Sequence, residues 1–400
     1  MAHSGDLFLY RQCSLLGVKG HAALRRKWPL LIPSGHCVSL ESVYPYLARP
    51  CALDLGDGAE MIKQAGIVAW LMGLVALITI TAWSGLNAVG HAVASVGWGI
   101  LFVVIVRAIT VSLAGIGWWL LFPPKARPRF QTCIALRFVR EATNVLLPLA
   151  QIGGDFIGAG LLTLYAVPGT LSVASVIVDV LLQAATQFLF AIGGLLALIV
   201  LGGDATIVLA AALGLGIASI MLLGFYFAQR RGGQRILHFV IKRLSGDRKW
   251  GAATIDGIYH NLAMIYAARP DLVASSVVHM TGWIVGVAEV LIVFAFMGNP
   301  ISLAQALVIE SLMHAIRGAV FVIPSALGAQ EGGLVLLCAI FGIPPEQAIA
   351  LSLVKRAADL TIGLPWIVGW QLFEWKRLIP SYSSATPERP KPISSGSHDG

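Results

Sequence analysis

From Ala65 to Trp83 the chain carries no charged side chain, and long apolar runs recur at about 98–122, 170–201, 206–228, 272–297 and 346–372. Each is near or above the roughly 20 residues that an α-helix needs to cross a hydrocarbon core. In lipid every backbone N–H and C=O must be paired within the segment, so runs of this length fold as helices. Only 12% of the 400 residues are charged, about half the share in a soluble domain. The expected fold is an all-α polytopic membrane protein with about six full spans.

The net charge of +8 could point to nucleic acid, but the basic residues sit in short runs between the apolar segments. Lys125, Arg127, Arg129, Arg137 and Arg140 form one run. Arg230, Arg231, Arg235, Lys242, Arg243, Arg248, Lys249 and Arg269 fall in another, at 229–270. This is the positive-inside pattern of cytoplasmic loops, and no nucleic-acid partner is expected. Met61-Ile62-Lys63-Gln64 leads straight into an apolar helix, as a bacterial inner-membrane protein begins, so a multi-pass protein of that membrane is expected, with its C-terminus cytoplasmic after Trp370, Trp375, Lys376 and Arg377. Trp98, Trp118 and Trp119 fall where an aromatic belt would lie. Ile255, Ile258, Tyr259, Leu262, Ile265 and Tyr266 recur at helical spacing, marking a helix that packs under the bundle or lies on the membrane surface.

Residues 1–60 hold three of the five cysteines and no long apolar run. They form an atypical extension, read either as lying upstream of a natural start at Met61 or as a poorly ordered cytoplasmic tail. The segment 379–400 is polar and Ser/Pro-rich, the composition of a disordered tail. The cysteines show neither CxxC nor metal-ligand spacing. The Walker, dinucleotide, Gly-x-Ser-x-Gly and HExxH patterns are missing. Neither His279 nor His314 has a ligand-spaced partner. These observations predict no cofactor, no metal and no catalytic residue.

Two stretches break the apolar pattern. The first runs from Arg140 through Asn144, Pro148, Gln151 and Gly153-Gly154 to Asp155. The second runs from Arg317 through Pro324 and Gly328 to Glu331. Each Pro and Gly splits its segment into halves too short to span, which predicts two re-entrant or broken-helix hairpins over about 138–166 and 302–343. A shift of 176 residues lays Pro148 on Pro324, Asp155 on Glu331 and Pro168 on Pro344. Repeat units are therefore expected at about 126–200 and 302–376. Three crossings separate them, so the second is inverted. Inverted repeats with broken helices meeting near the midplane are the plan of secondary transporters.

An ionisable group inside a membrane costs several kcal/mol and is a functional candidate by default. Arg140 and Arg317 are candidates to grip a lipid phosphate. The structural alternative is a salt bridge to Asp155 or Glu331 that holds the hairpin. Asp155 and Glu331 suit either proton coupling or the positive end of a half-helix. Asn144 and Gln151 suit the satisfaction of freed backbone groups. Lys355 and Arg356 form a second phosphate candidate, with Asp359 placed to pair with Arg356. Asp179, one turn before Gln183, is a candidate partner for Lys355 or Arg356. Glu289 and Glu310 stand isolated in apolar helices, and Gly282 and Gly286 form a small-xxx-small pair for close packing.

Asn144-x-x-Leu147-Pro148 followed by Gly153-Gly154-Asp155, Pro324-x-x-x-Gly328-x-x-Glu331, and the later Arg356 together resemble the flippase-like membrane domain of lysylphosphatidylglycerol synthases and their stand-alone relatives. The resemblance covers about 61–378. The wording Leu147-Pro148-Leu149-Ala150-Gln151-Ile152-Gly153-Gly154-Asp155 is most similar to the hopanoid-biosynthesis-associated, HpnL-like branch. Many members carry Glu where this chain has Asp155. The resemblance implies translocation of a membrane lipid, with Arg140, Asn144, Gln151, Asp155, Arg317, Glu331 and Arg356 as its contacts and hopanoid-biosynthesis proteins as partners. It implies no aminoacyl transfer, since that activity resides in a soluble domain after the membrane part and about two dozen mostly polar residues follow the last helix here. For a hopanoid with a neutral headgroup, Asn144 and Gln151 would be the better contacts. The rivals are a membrane-embedded lipid-modifying transferase and a non-transporting scaffold acting through 229–270.

Overall fold

The computed structural model describes residue 79 and residues 86–146, 153–230, 233–235, 249–320 and 326–378. Every regular element among them is helical, and no strand occurs among the described residues. In chain order the α-helices are α1 (Leu86–Val96), α2 (Gly99–Leu120), α3 (Phe130–Leu146), α4 (Gly153–Leu162), α5 (Gly169–Val200), α6 (Ala205–Ala228), α7 (Lys249–Ala267), α8 (Arg269–Phe296), α9 (Leu303–Ala319), α10 (Ala329–Ala339) and α11 (Pro345–Leu378). Met61–Trp370 form one compact unit, and the contacts described below lie within it.

Four of these helices, α2, α5, α6 and α8, are long and apolar enough to cross a membrane. The expected first span, 65–83, lies almost wholly outside the described residues. The expected last span is the 34-residue α11, which carries Lys355, Arg356 and Asp359 in its interior. Between the apolar runs 65–83 and 98–122 lies the helix α1.

Local chemistry sets the boundaries. Pro123 and Pro124 lack the N–H that would continue α2. Gly202, at φ 74°, turns the chain tightly after α5. Asp204 then caps α6 by accepting from the N–H groups of Thr206 and Ile207 at 2.8 and 3.4 Å. Those bonds, Thr206 foremost, hold its carboxyl below the usual carboxylate range. Ser302 and Gln305 form a reciprocal capping box at the start of α9.

Helix starts recur along the chain. Gly153 and Ala329 open α4 and α10, and Gly169 and Pro345 open α5 and α11, each pair 176 residues apart. The ends of α2 and α8, Leu120 and Phe296, share that separation. So do two left-handed residues in the intervening turns, Ala166 at φ 61° and Gly342 at φ 69°. An alanine in that region is strained by about 1–2 kcal/mol, so the same turn is kept at both places even without glycine at one.

α2 packs along α8, α9 along α5, and α3 against α2 and α4. One buried apolar cluster joins α8, α9, α10 and α11 through Val290, Phe294, Ile309, Leu334 and Leu351. A second joins α2, α3, α4, α5 and α7 through Trp118, Leu136, Leu162, Val178 and Leu262. The surface of α6 is almost wholly exposed, with Leu215 buried, as lipid contact requires. α7 buries Ile255, Leu262 and Ile265, so this amphipathic face packs under the bundle.

Candidate functional site

α3 carries Arg137, Arg140, Glu141 and Asn144 at three- and four-residue spacings, which set them along one side of the helix. Arg140 is 1% exposed. Its Nε and Nη2 donate to Asp155 Oδ1 at 3.0 and 2.6 Å, and its Nη1 donates to Asp179 Oδ2 at 2.9 Å. The guanidinium lies 4.5 Å from the Trp118 ring centroid, and the indole N–H of Trp118 donates to Ser175 Oγ at 3.2 Å.

Asp179 is the hub of this cluster. Gln183 Nε2 donates to its Oδ2 at 2.8 Å, Arg137 Nη1 approaches the same oxygen at 3.4 Å, and His279 Nε2 lies 3.2 Å from its Oδ1. Arg137 also donates to Gln183 Oε1 at 2.7 Å and Glu141 Oε2 at 3.2 Å. Asn144 Oδ1 accepts the N–H of Gly154 at 2.7 Å, pairing a first-turn N–H of α4 that has no partner within its own helix.

Two glycines let α4 reach α3. A Cβ on Gly154 would lie 2.1 Å from the Arg140 carbonyl oxygen, and one on Gly158 would lie 2.5 Å from Arg140 Cγ and Cδ. The first obstacle is backbone and cannot swing aside. Gly154→Ala is therefore expected to cost about 3 kcal/mol, the upper end of ordinary overpacking. Thermal unfolding in detergent measures this, and an unchanged midpoint would contradict the contact.

The second cluster surrounds α10 and α11. Glu331, fully buried in the first turn of α10, accepts the Gly328 N–H at 2.8 Å through Oε2. Its Oε1 accepts from Arg356 Nε and Ser352 Oγ, both at 2.7 Å. Gln330 Nε2 donates to Ser352 Oγ at 2.9 Å. Lys355 Nζ lies 2.8 Å from both oxygens of Glu310 and from Glu289 Oε2. His314 Nε2 is 3.1 Å from Glu310 Oε1. Arg107, from the middle of α2, sits 3.2 Å from Glu289 Oε2 and 3.1 Å from Asp359 Oδ1. These Arg107 contacts are ionic without hydrogen-bond alignment.

The expected partners change in several places. Glu331 pairs with Arg356 and not with Arg317, because α11 lies against the start of α10 there. Asp179 pairs with Arg137, Arg140 and His279 and not with Lys355 or Arg356, since α3 and α8 supply its neighbours. Asp359 pairs with Arg107 rather than with Arg356. Trp118 is fully buried beneath Arg140 and is no belt residue. Arg137, counted in the cytoplasmic run, is buried in the first cluster. Glu289 and Glu310, isolated in sequence, converge on Lys355. Sequence reasoning passed over Arg107 and Glu141, although an arginine in the middle of an apolar run is itself a strong signal. Gln151, Pro148 and Pro324 lie outside the described residues.

Arg317 stands apart from these ion pairs. It is half-buried in the last turn of α9 and makes no ion pair among the described residues. It is near enough to Glu141 and His314 to act on both electrostatically. Glu141, whose side chain is 33% exposed, borders a narrow crevice with Arg107, Phe138, Val145, Asp359 and Gly363. Among the described residues no group of His, Cys, Asp and Glu is arranged to hold a metal ion.

The family model of the lysylphosphatidylglycerol synthase TM region matches residues 68–366. No curated protein and no solved structure matches the chain.

Proposed function

Because the chain belongs to the family of the lysylphosphatidylglycerol synthase TM region, a multi-pass membrane family tied to lipid synthesis or translocation, we propose that it moves a polar lipid across the bacterial inner membrane and does no transfer chemistry on it. The observation that carries this reading is Arg317. Arg140 and Arg356 are held by carboxylates, whereas Arg317 makes no ion pair among the described residues and stands half-buried before the second break. A half-buried guanidinium with no carboxylate partner among the described residues is suited to a phosphate or another anionic headgroup. Arg140, Asn144, Asp155, Glu331 and Arg356 then keep the broken helices in place. The recurrence of helix starts at one separation supports two repeated halves; the three crossings between them would invert the second, and the basic runs put the C-terminus in the cytoplasm. The wording of the first motif makes hopanoid lipids, and contact with the proteins that make them, the first possibilities to examine.

The test is reconstitution in liposomes with fluorescently labelled lipids and an impermeant quencher. The full chain should exchange label between leaflets faster than empty vesicles. Arg317→Ala should slow that exchange about tenfold, the worth of one charge-assisted hydrogen bond, with an unchanged melting midpoint. Exchange no faster than in empty vesicles defeats the proposal. A chemically altered lipid would establish the transferase instead.

A further inference from the structure

The connection between α2 and α3 is held more firmly than a solvent loop requires. Pro123, Pro124 and Pro128 each fix φ. Trp119 Nε1 donates to the Pro128 carbonyl at 2.9 Å and pins the loop to the end of α2. Arg127 turns back over the same indole, with its guanidinium carbon 4.6 Å from the ring centroid. Its Nε and Nη2 donate to the carbonyls of Phe122 and Leu120 at 2.9 and 3.4 Å. These are carbonyls that the end of α2 would otherwise leave unpaired. Nη2 of Arg127 also lies 3.8 Å from Asp271, at the start of α8.

This scaffold frames an open hollow of about 540 Å³ lined by Trp119, Pro124, Arg127, Arg129, Phe130 and Gln131. Two kinds of chemistry meet there. Trp119 and the exposed Phe130 present aromatic surface. Arg129 in the lining presents positive charge, and Lys125 follows the lining Pro124 in the chain; both are exposed and make no ion pair among the described residues. The hollow adjoins the end of a 22-residue apolar helix, the level at which hydrocarbon gives way to headgroups.

We infer that this hollow binds the headgroup of an anionic phospholipid, its phosphate at Arg129 and its glycerol backbone against Trp119 and Phe130, with Lys125, next to the lining Pro124, adding positive charge at the rim. The charge selects an anion, the aromatic surface favours a lipid over a free anion, and the pinned loop removes most of the ordering cost of binding. The site lies at the start of α3, ten residues before Arg140, and shares no residue with the cluster around Asp179. It holds a resident lipid, independently of whether the protein translocates one.

The full chain, purified in detergent and exposed to vesicles of equal phosphatidylglycerol and phosphatidylcholine, reports the site by native mass spectrometry. Wild type should retain phosphatidylglycerol preferentially. Lys125→Ala combined with Arg129→Ala should reduce that preference about tenfold, in keeping with two surface cations, and Arg129→Lys should keep most of it. Raising salt to about 0.5 M should weaken the wild-type preference, a measurement that needs no variant to fold. A preference that survives both the double substitution and the salt overturns the assignment. So does full displacement of the lipid by millimolar inorganic phosphate, which would make the hollow a site for free anions.

Discussion

Arg140→Ala is expected to yield little folded protein, so that loss of lipid movement in this variant reports collapse and not a missing substrate contact. The side chain is 1% exposed and neutralises Asp155 and Asp179 while covering Trp118. Removing one member of a buried ion pair costs about 3–5 kcal/mol, because the charge left behind has neither water nor partner. Here two carboxylates lose their main cation at once, which is comparable to the whole stability of a typical domain, about 5–15 kcal/mol. The readout is the yield of monodisperse protein after detergent extraction, with its melting midpoint. Arg140→Lys should recover part of the fold, since an ammonium keeps the charge but cannot reach both carboxylates in the planar fork that the guanidinium uses. A well-folded Arg140→Ala protein with abolished exchange would restore Arg140 as a headgroup ligand.

Lys355→Met should be nearly as damaging, and it should be repairable. Lys355 Nζ lies 2.8 Å from Glu310 and from Glu289, both almost fully buried. The methionine fills a similar volume but strips Glu310 of its lysine and leaves Glu289 with Arg107 alone, again at about 3–5 kcal/mol. Adding Glu310→Gln and Glu289→Gln removes the stranded charges, so the triple variant should melt well above the single one. The cycle of single and combined variants measures the coupling directly. Equal melting points for Lys355→Met and the triple variant would show that the three groups do not act as a unit.

Much of the fold was legible because a membrane simplifies the grammar of a sequence. A run such as 206–228 has one structural solution in hydrocarbon, and the helix observed is 205–228. The helix starts at Gly153 and Ala329 were visible for the opposite reason, since Gly153-Gly154 and Gly328 interrupt runs that otherwise would continue. Asn144 was expected to satisfy freed backbone, and it accepts the Gly154 N–H. Pairing was harder to see. Ion-pair partners come from helices far apart in the chain, as with Arg107 and Asp359, and periodicity says nothing about which helices touch. Asp179 and Lys355 occupy equivalent places in α5 and α11, which invited the guess that they pair. In the structure each is the centre of its own cluster, with opposite sign.

The two clusters are also interlocked. Arg107 leaves α2 to join the acids around Lys355, and His279 leaves α8 to join Asp179. Each of the two long neighbouring helices thus lends a side chain to the cluster centred on the far half of the chain. They work as crossed shear pins. Sliding of either helix away from the cluster it reaches would break these contacts. The pin at Arg107 makes two ionic contacts, at 3.2 and 3.1 Å, and the pin at His279 makes one, at 3.2 Å.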